Sequence, residues 1–407
     1  MNNDIKKARP FDSFSAVCRI LVWAGYYKLL NKPASRLKRI SHQIYRLLAL
    51  LFTAVYNVQH LIFSHRYDMD KLMDCLVIEI PQMNMFAKVL NMLIQVRRLD
   101  KIQEVLTGPI FQATDEQEEE ILKQNILEMN RLHTFLNVGV TVAGIVWPSS
   151  FFVKRYTDKR EVVNSYMPFE SDTFALSVFL ETWPLLWVGY GHLGLDQLIT
   201  AYYAQAQTQL KIIEHQLQTL CRTNGDDHII NNVKYRDSID ETIRERFKRI
   251  VKRYETLVWY IMLHFYDRLV APRGVTRYIV TSFTFIFLAV LFFLLLIQVF
   301  MYCYYGNLVE FESRLINESL YESDWLSLSP RFRRLLLVAM TSWSRPIRPK
   351  VCYIIPLSLS TFVQVRQNFL LFLPFCTAYF LSPLYYSSYY IYVKVMKRSR
   401  CSPNGKR

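Results

Sequence analysis

The chain is short of charge: Asp, Glu, Lys and Arg make up only 20% of it, against 52% apolar residues. The shortage is concentrated in runs of about twenty residues, each long enough to cross a hydrocarbon core as a helix. A soluble fold has no use for so many such runs. Cysteine supplies no framework either. Its seven copies (Cys18, Cys75, Cys221, Cys303, Cys352, Cys376 and Cys401) are odd in number and scattered, so neither a disulfide scaffold nor a zinc spacing is expected. The eight histidines are dispersed, and no H-E-x-x-H, G-x-S-x-G or other nucleophile motif occurs. No enzyme, metal or cofactor is expected. The opening Met-Asn-Asn-Asp-Ile-Lys-Lys has no apolar stretch before a small-residue cleavage site, so the first span is expected to act as its own signal. The one glycosylation sequon, Asn317-Glu318-Ser319, reads as a chance match.

What is present is the pattern of an all-α, polytopic membrane protein. Clear apolar spans cover 41–63, 72–94, 133–153, 174–203 and 278–303, and a further apolar region runs from 351 to 393, broken by Pro356, Pro374 and Pro383. Net charge is +15, and the basic residues sit between spans rather than in a separate domain. They suit loops beside an anionic lipid bilayer, and nucleic acid is not an expected partner. Residues 1–40 carry nine Lys and Arg and 204–255 carry ten, so an N-terminus inside the cell puts both stretches on the cytoplasmic face.

The expected organisation follows. A cytoplasmic segment (1–40) leads into four membrane helices (41–203). Cytoplasmic helices and a poorly apolar fifth-span region (204–277) precede the span 278–303, a basic hinge (304–350), the last membrane region (351–393) and a basic tail (394–407). The fifth-span region holds His264, Asp267, Arg268, Arg273 and Arg277, costly groups in lipid. It is nevertheless counted as a crossing, because only then does the basic hinge lie inside.

Some stretches imitate chemistry. Gly189-Tyr190-Gly191-His192-Leu193-Gly194 fits G-x-G-x-x-G, but it lies in an apolar helical span where small residues serve close packing, not a nucleotide. Asp115 to Glu120 resembles an acidic cation site and reads more simply as a helix's first turn, where carboxylates complement the dipole. Glu181 and Asp196 are the only acids inside the fourth span. The aromatic and sulfur side chains are more informative. Met83 and Phe86 fall in the second span, Trp147 and Phe151 end the third on its outer side, and Phe179, Trp183 and Trp187 fall in the outer half of the fourth. Together they suit an apolar pocket for a small volatile or lipophilic ligand, against the alternative of helix packing and an interfacial aromatic belt.

The hinge carries a longer pattern. It opens with Tyr302-Cys303-Tyr304-Tyr305-Gly306-Asn307 and continues through Glu312-Ser313, Tyr321 and Trp325. The run Arg333-Arg334-Leu335-Leu336-Leu337 and Pro346 follow, then Pro356-Leu357-Ser358-Leu359-Ser360-Thr361-Phe362. This order resembles the insect odorant receptors, a family of seven-span, odorant-gated cation channels. The helix ahead of the fifth span, Val251 to Val270, resembles the same family. The resemblance implies a seven-helix bundle with a cytoplasmic anchor and a ligand pocket in its outer half. It further implies a heteromeric, tetrameric channel with a shared odorant co-receptor in the plasma membrane of olfactory neurons. Tyr304, Gly306, Asn307, Tyr321, Trp325, Arg333, Arg334, Pro346, Leu357, Ser358, Thr361 and Phe362 would form the anchor. The loop 204–255 lacks the long insertion of the co-receptor, so the chain resembles a ligand-tuning subunit.

There are two departures from the family pattern. Only one apolar span fits comfortably between the cytoplasmic helix and Tyr302, where the family has two. After Gln364 the chain leaves the family's pore helix, and Gln364-Val365-Arg366 is what a splice donor read as codons would encode. Residues from about 365 are therefore expected to translate a retained intron. A gustatory receptor lacks a match for its closing Thr-Tyr motif, since Thr361-Phe362 stands there. The D-R-Y and N-P-x-x-Y signatures of a G-protein-coupled receptor are missing, and a transporter would be expected to show more intramembrane ionisable groups.

Overall fold

A computed structural model of the chain describes residues 8–28, 36–64, 86, 88–94, 96–158, 174–220, 233–264, 282–323, 325–351, 355–365 and 367. Their helices are α1 (Ser15–Trp23), α2 (Arg36–Ser64), α3 (Val96–Thr107), α4 (Glu116–Asp158), α5 (Phe174–Gln218), α6 (Val233–His264), α7 (Ser282–Glu322) and α8 (Pro330–Trp343). Further helical residues lie at 88–94 and from 359. One antiparallel pair, β1 (Lys350–Val351) and β2 (Ile355–Pro356), sets Lys350 against Pro356 and Val351 against Ile355. The apolar region expected from 351 thus opens with this pair, and helix resumes only at 359.

Long helices dominate because the local signals are long. α4 starts where the acidic run ends a loop: Glu116, Glu118 and Glu119 fill its first turn, where carboxylates meet the positive helix end. Glu118 accepts from the backbone N–H of Thr114 at 2.8 Å and from its hydroxyl at 3.0 Å, tying the turn to the loop. The exposed face of α4 is apolar at Phe135, Val138, Val142, Ile145 and Phe152, and that of α2 at Leu37, Ile40, Ile44, Leu47, Leu48 and Leu51. Such stripes fit acyl chains rather than water. Among the described residues, no helix is long and apolar enough to cross a membrane, so the sign of lipid there is where the apolar side chains sit.

The core runs along α5, which packs most extensively against α7 and α4. The N-terminal segment is built into it. Residues Pro10–Phe14 form a turn of 3-10 helix before α1, and Phe14, Val17, Cys18 and Leu21 are fully buried in the main cluster with α5. α1 ends in a reversal at Gly25, whose φ of +81° is a left-handed conformation that glycine adopts without a Cβ clash. The N–H of Gly25 bonds Val22 O and that of Tyr26 bonds Leu21 O, the paired bonds of a Schellman cap. This cap sets Leu21 and Tyr26 side by side. Lys28 then ion-pairs with Asp100 on α3.

At the other end, α8 begins at Pro330 behind Ser329, whose hydroxyl accepts from Phe332 N–H. Its buried face, Phe332, Leu336, Met340 and Trp343, meets α6 through rings. Phe247 lies 5.6 Å from Phe332, and Tyr254 lies 5.5 Å from Trp343.

Candidate functional site: bundle interior and anchor

The glycine run on α5 receives the N-terminal cap. A Cβ on Gly191 would lie 2.1 Å from the Tyr26 ring, and one on Gly194 would lie 2.9 Å from Leu21 Cδ2. Gly189 meets nothing closer than 3.6 Å. These are packing glycines, seated against a segment some 170 residues earlier in the chain.

The expected pocket residues divide between described and undescribed side chains. Met83 lies outside the described residues, and Phe86 is half-buried. Trp147 and Phe151 stand on α4, and Phe179 and Trp183 on α5, with side chains outside the described set. Trp187 is placed in full. It stacks on Trp23 at 5.3 Å, with Tyr45 of α2 at 6.2 Å, and Tyr190 meets Trp23 edge-on at 6.3 Å. The Tyr190 hydroxyl shares a hydrogen bond with Thr141 of α4 at 2.6 Å. Trp23 and Tyr45 were not singled out from the sequence. Their aromatic character was the available signal, but nothing local brings α1 to the fourth span.

Deeper in the bundle, Asp196 of α5 is fully buried. Lys88 holds its Nζ 2.6 Å from Asp196 Oδ1, and the Tyr302 hydroxyl of α7 donates to that same oxygen. His192 sets Nε2 3.4 Å from Oδ2, without hydrogen-bond geometry. Near the N-terminal end of α4 a second pair is buried: Arg253 Nη1 lies 3.8 Å from Glu118 Oε2, with exposures of 3% and 2%. Arg253 also donates to Gln209 Oε1 at 3.0 Å and to Gln112 O at 3.3 Å. Burial pulls its pKa down to about 10, with Glu118 opposing the shift, so it stays charged at neutral pH. Beside this pair a cavity of about 940 Å³ opens between the ends of α4, α5 and α6, edged by Asp115, His215, Arg249 and Lys252.

The anchor is assembled by contacts distant in sequence. A Cβ on Gly306 would meet Leu357 Cβ at 2.6 Å and its carbonyl oxygen at 2.7 Å, so glycine is what lets the returning chain lie on α7. Tyr304 stacks on Phe300 at 5.6 Å, and Phe362 packs edge-on against Phe300 at 5.3 Å. Asn307 is half-buried. Glu312, also buried, accepts from Gln207 at 3.2 Å, while Ser313 Oγ accepts from Ile347 N–H at 3.0 Å, next to a half-buried Pro346. Glu310 takes Arg348 at 3.0 Å and Arg314 one turn on. Thr361 Oγ1 donates to Pro356 O at 2.8 Å, and Ser358 Oγ accepts from Thr361 N–H at 3.3 Å. Tyr321 is exposed and meets Trp325 edge-on, Arg334 is exposed, and Arg333 is half-buried. The sequon's Asn317 donates to Met340 O at 3.4 Å within this packing.

Long helices around a mainly apolar core, with further apolar stripes turned outward, define an all-α bundle of membrane type. A family model described as 7tm Odorant receptor matches residues 68–265 and 276–369. The chain belongs to that odorant receptor family. Odorant receptor 2a of Drosophila melanogaster is 32% identical over 71 residues, 17% of this chain and 18% of that protein. Odorant receptor 33a of the same fly is 31% identical over 81 residues, 20% and 21% of the two chains. The aligned stretches therefore span about a fifth of those curated relatives. The solved insect olfactory receptor OR5 from Machilis hrabei superposes with a TM-score of 0.64 at 12% identity, over 91% of this chain and 96% of that one. The same receptor in complex with eugenol matches with a TM-score of 0.64 at 15% identity, over 91% and 97%. At such identity the likeness is one of fold.

Proposed function

We propose that the chain is a ligand-tuning odorant receptor subunit that binds a small, volatile, lipophilic molecule between its membrane helices. With a shared co-receptor it gates a non-selective cation channel in the plasma membrane of olfactory neurons. The observation that carries this reading is the anchor. Tyr304, Gly306, Leu357, Thr361 and Phe362 belong to one sequence pattern and meet in one packed unit although its ends lie far apart in the chain. Family membership supports it, and eugenol in the related OR5 complex illustrates the class of ligand.

The test is to express the full chain with a co-receptor and to record currents evoked by a panel of phenylpropenes, monoterpenes and short esters that includes eugenol. Evoked cation current that needs both chains is the expected result, with the co-receptor supplying the pore helix from which this chain departs after Gln364. A response abolished by G-protein inhibitors overturns the channel reading. A tag at Tyr321 is expected to stay inaccessible from outside intact cells, because the anchor is cytoplasmic in this reading.

A further inference from the structure

Three polar groups from three separate parts of the chain converge on one buried carboxylate. Lys88 comes from the helical residues 88–94, Asp196 from α5 and Tyr302 from α7. A buried ion pair is a poor device for stability alone, because apolar side chains of similar volume hold helices at least as well. Its better-attested uses are to fix register or to bias one of two arrangements.

Position says which use applies. Lys88 follows Phe86 by two residues, and Asp196 lies nine residues beyond Trp187, so both donor and acceptor sit below the expected ligand region. Tyr302 opens the Tyr-Cys-Tyr-Tyr-Gly-Asn run, and four residues later Gly306 seats Leu357. The triad thus stands between the ligand side of the bundle and the anchor.

We propose that Lys88, Asp196 and Tyr302 form the joint through which ligand binding in the outer bundle is coupled to the anchor, an inference that rests on the odorant-gated channel function. Asp196 Oδ1 serves both donors, while Oδ2, with His192 Nε2 3.4 Å away, has no hydrogen-bond partner among the described residues. The carboxylate therefore offers a second seat. A shift of α7 that carries the Tyr302 hydroxyl from Oδ1 to Oδ2, beside His192 Nε2, keeps an acceptor for it while Lys88 stays on Oδ1, which gives α7 two positions relative to α5. A ligand that favours one position shifts the other helix by differential binding. These three residues are positioning residues and do not touch the ligand.

The test is a double-mutant cycle in the full chain with its co-receptor, using the same odorant panel. Tyr302→Phe deletes one hydroxyl and keeps the ring, Asp196→Asn keeps the shape and removes the charge, and the double variant completes the cycle. Half-maximal concentration, basal current and receptor at the cell surface are all measured. Each single variant is expected to shift the half-maximal concentration by about fivefold or more at equal surface amount, within the usual range of site coupling. The double variant is expected to shift it no further than the larger single. Lys88→Met with Asp196→Leu removes the charges as a pair and is expected to restore surface amount where Asp196→Asn lowers it, while the shifted response persists. Unchanged half-maximal concentrations, or additive shifts, overturn the joint. So do variants that change surface amount alone. A wild-type chain with no evoked current overturns the channel reading and this inference with it.

Discussion

Gly306 and the glycines of α5 show how much one missing Cβ decides at the scale of the residue. At Gly306 the clash would be with a side chain and a backbone carbonyl, at Gly191 with a rigid ring, and at Gly194 with the end of a leucine. Alanine is therefore expected to cost most at Gly306 and Gly191, about 1–3 kcal/mol each as overpacking. It should cost less at Gly194 and little at Gly189. Thermal unfolding of the detergent-solubilised protein gives the ranking, and a Gly189→Ala variant as unstable as Gly306→Ala would contradict it. Arg253 gives a second test. Arg253→Met alone leaves the Glu118 charge buried without its cation and is expected to cost about 3–5 kcal/mol, whereas Arg253→Met with Glu118→Gln, which removes the charge and keeps an acceptor for Thr114, is expected to cost less. The sequence marked the glycines as packing residues, since no strand precedes them. It could not name Tyr26 and Leu21 as their partners, because hydropathy carries no information about which apolar surfaces meet.

At the scale of the element, charge and capping residues near the helix ends were readable. The acidic first turn of α4 lies where the run Asp115 to Glu120 placed it. The Arg-Arg-Leu-Leu-Leu run is on α8, with Leu336 inside and Arg334 outside. Trp343 is the deepest aromatic of that helix, against Phe247 and Tyr254. Trp343→Ala is expected to cost about 3–5 kcal/mol, while Tyr321→Ala, on an exposed ring, is expected to cost under 1 kcal/mol by the usual small effect of surface substitutions. The same unfolding measurement compares them. The strand pair at 350–356 was not legible. Its apolar, proline-bearing sequence reads as the start of a span, whereas in the structure Lys350 pairs with Pro356, Val351 with Ile355, and Leu357 N–H bonds Pro349 O. The fifth-span region beyond His264 and the residues that follow Val365 lie outside the described residues, apart from the helical position 367.

For the whole molecule, two groups of exposed apolar residues among those described bear on assembly. The stripes on α2 and α4 face outward along the membrane bundle, whereas Leu335, Leu337 and Val338 are exposed on the anchor helix α8. In the proposed assembly the second group is covered by a neighbouring subunit, where apolar side chains at an interface core resist a buried charge. Val338→Glu is expected to reduce co-purification with the co-receptor by about tenfold, the effect of roughly 1.4 kcal/mol. The isolated chain should keep its thermal stability, because the side chain is exposed there. Equal recovery with the co-receptor would argue that α8 faces solvent or lipid in the assembly.

Hydropathy and charge bias are properties of contiguous residues, so the chain by itself determined its all-α membrane class. The anchor pattern was likewise legible, from Tyr302 to Phe362. What only the tertiary structure decided was which distant groups share a buried space: the N-terminal cap against Gly191 and Gly194, Leu357 on Gly306, and Arg253 beside Glu118. Asp196 is the clearest case. Along the sequence it is one acid in an apolar span, with nothing to say whether it is neutralised, solvated or paired. In the fold, Lys88 and Tyr302 reach it from helices more than a hundred residues away in either direction. The reason is physical: a charge in low dielectric must find its partner in space, and chain order does not encode that distance.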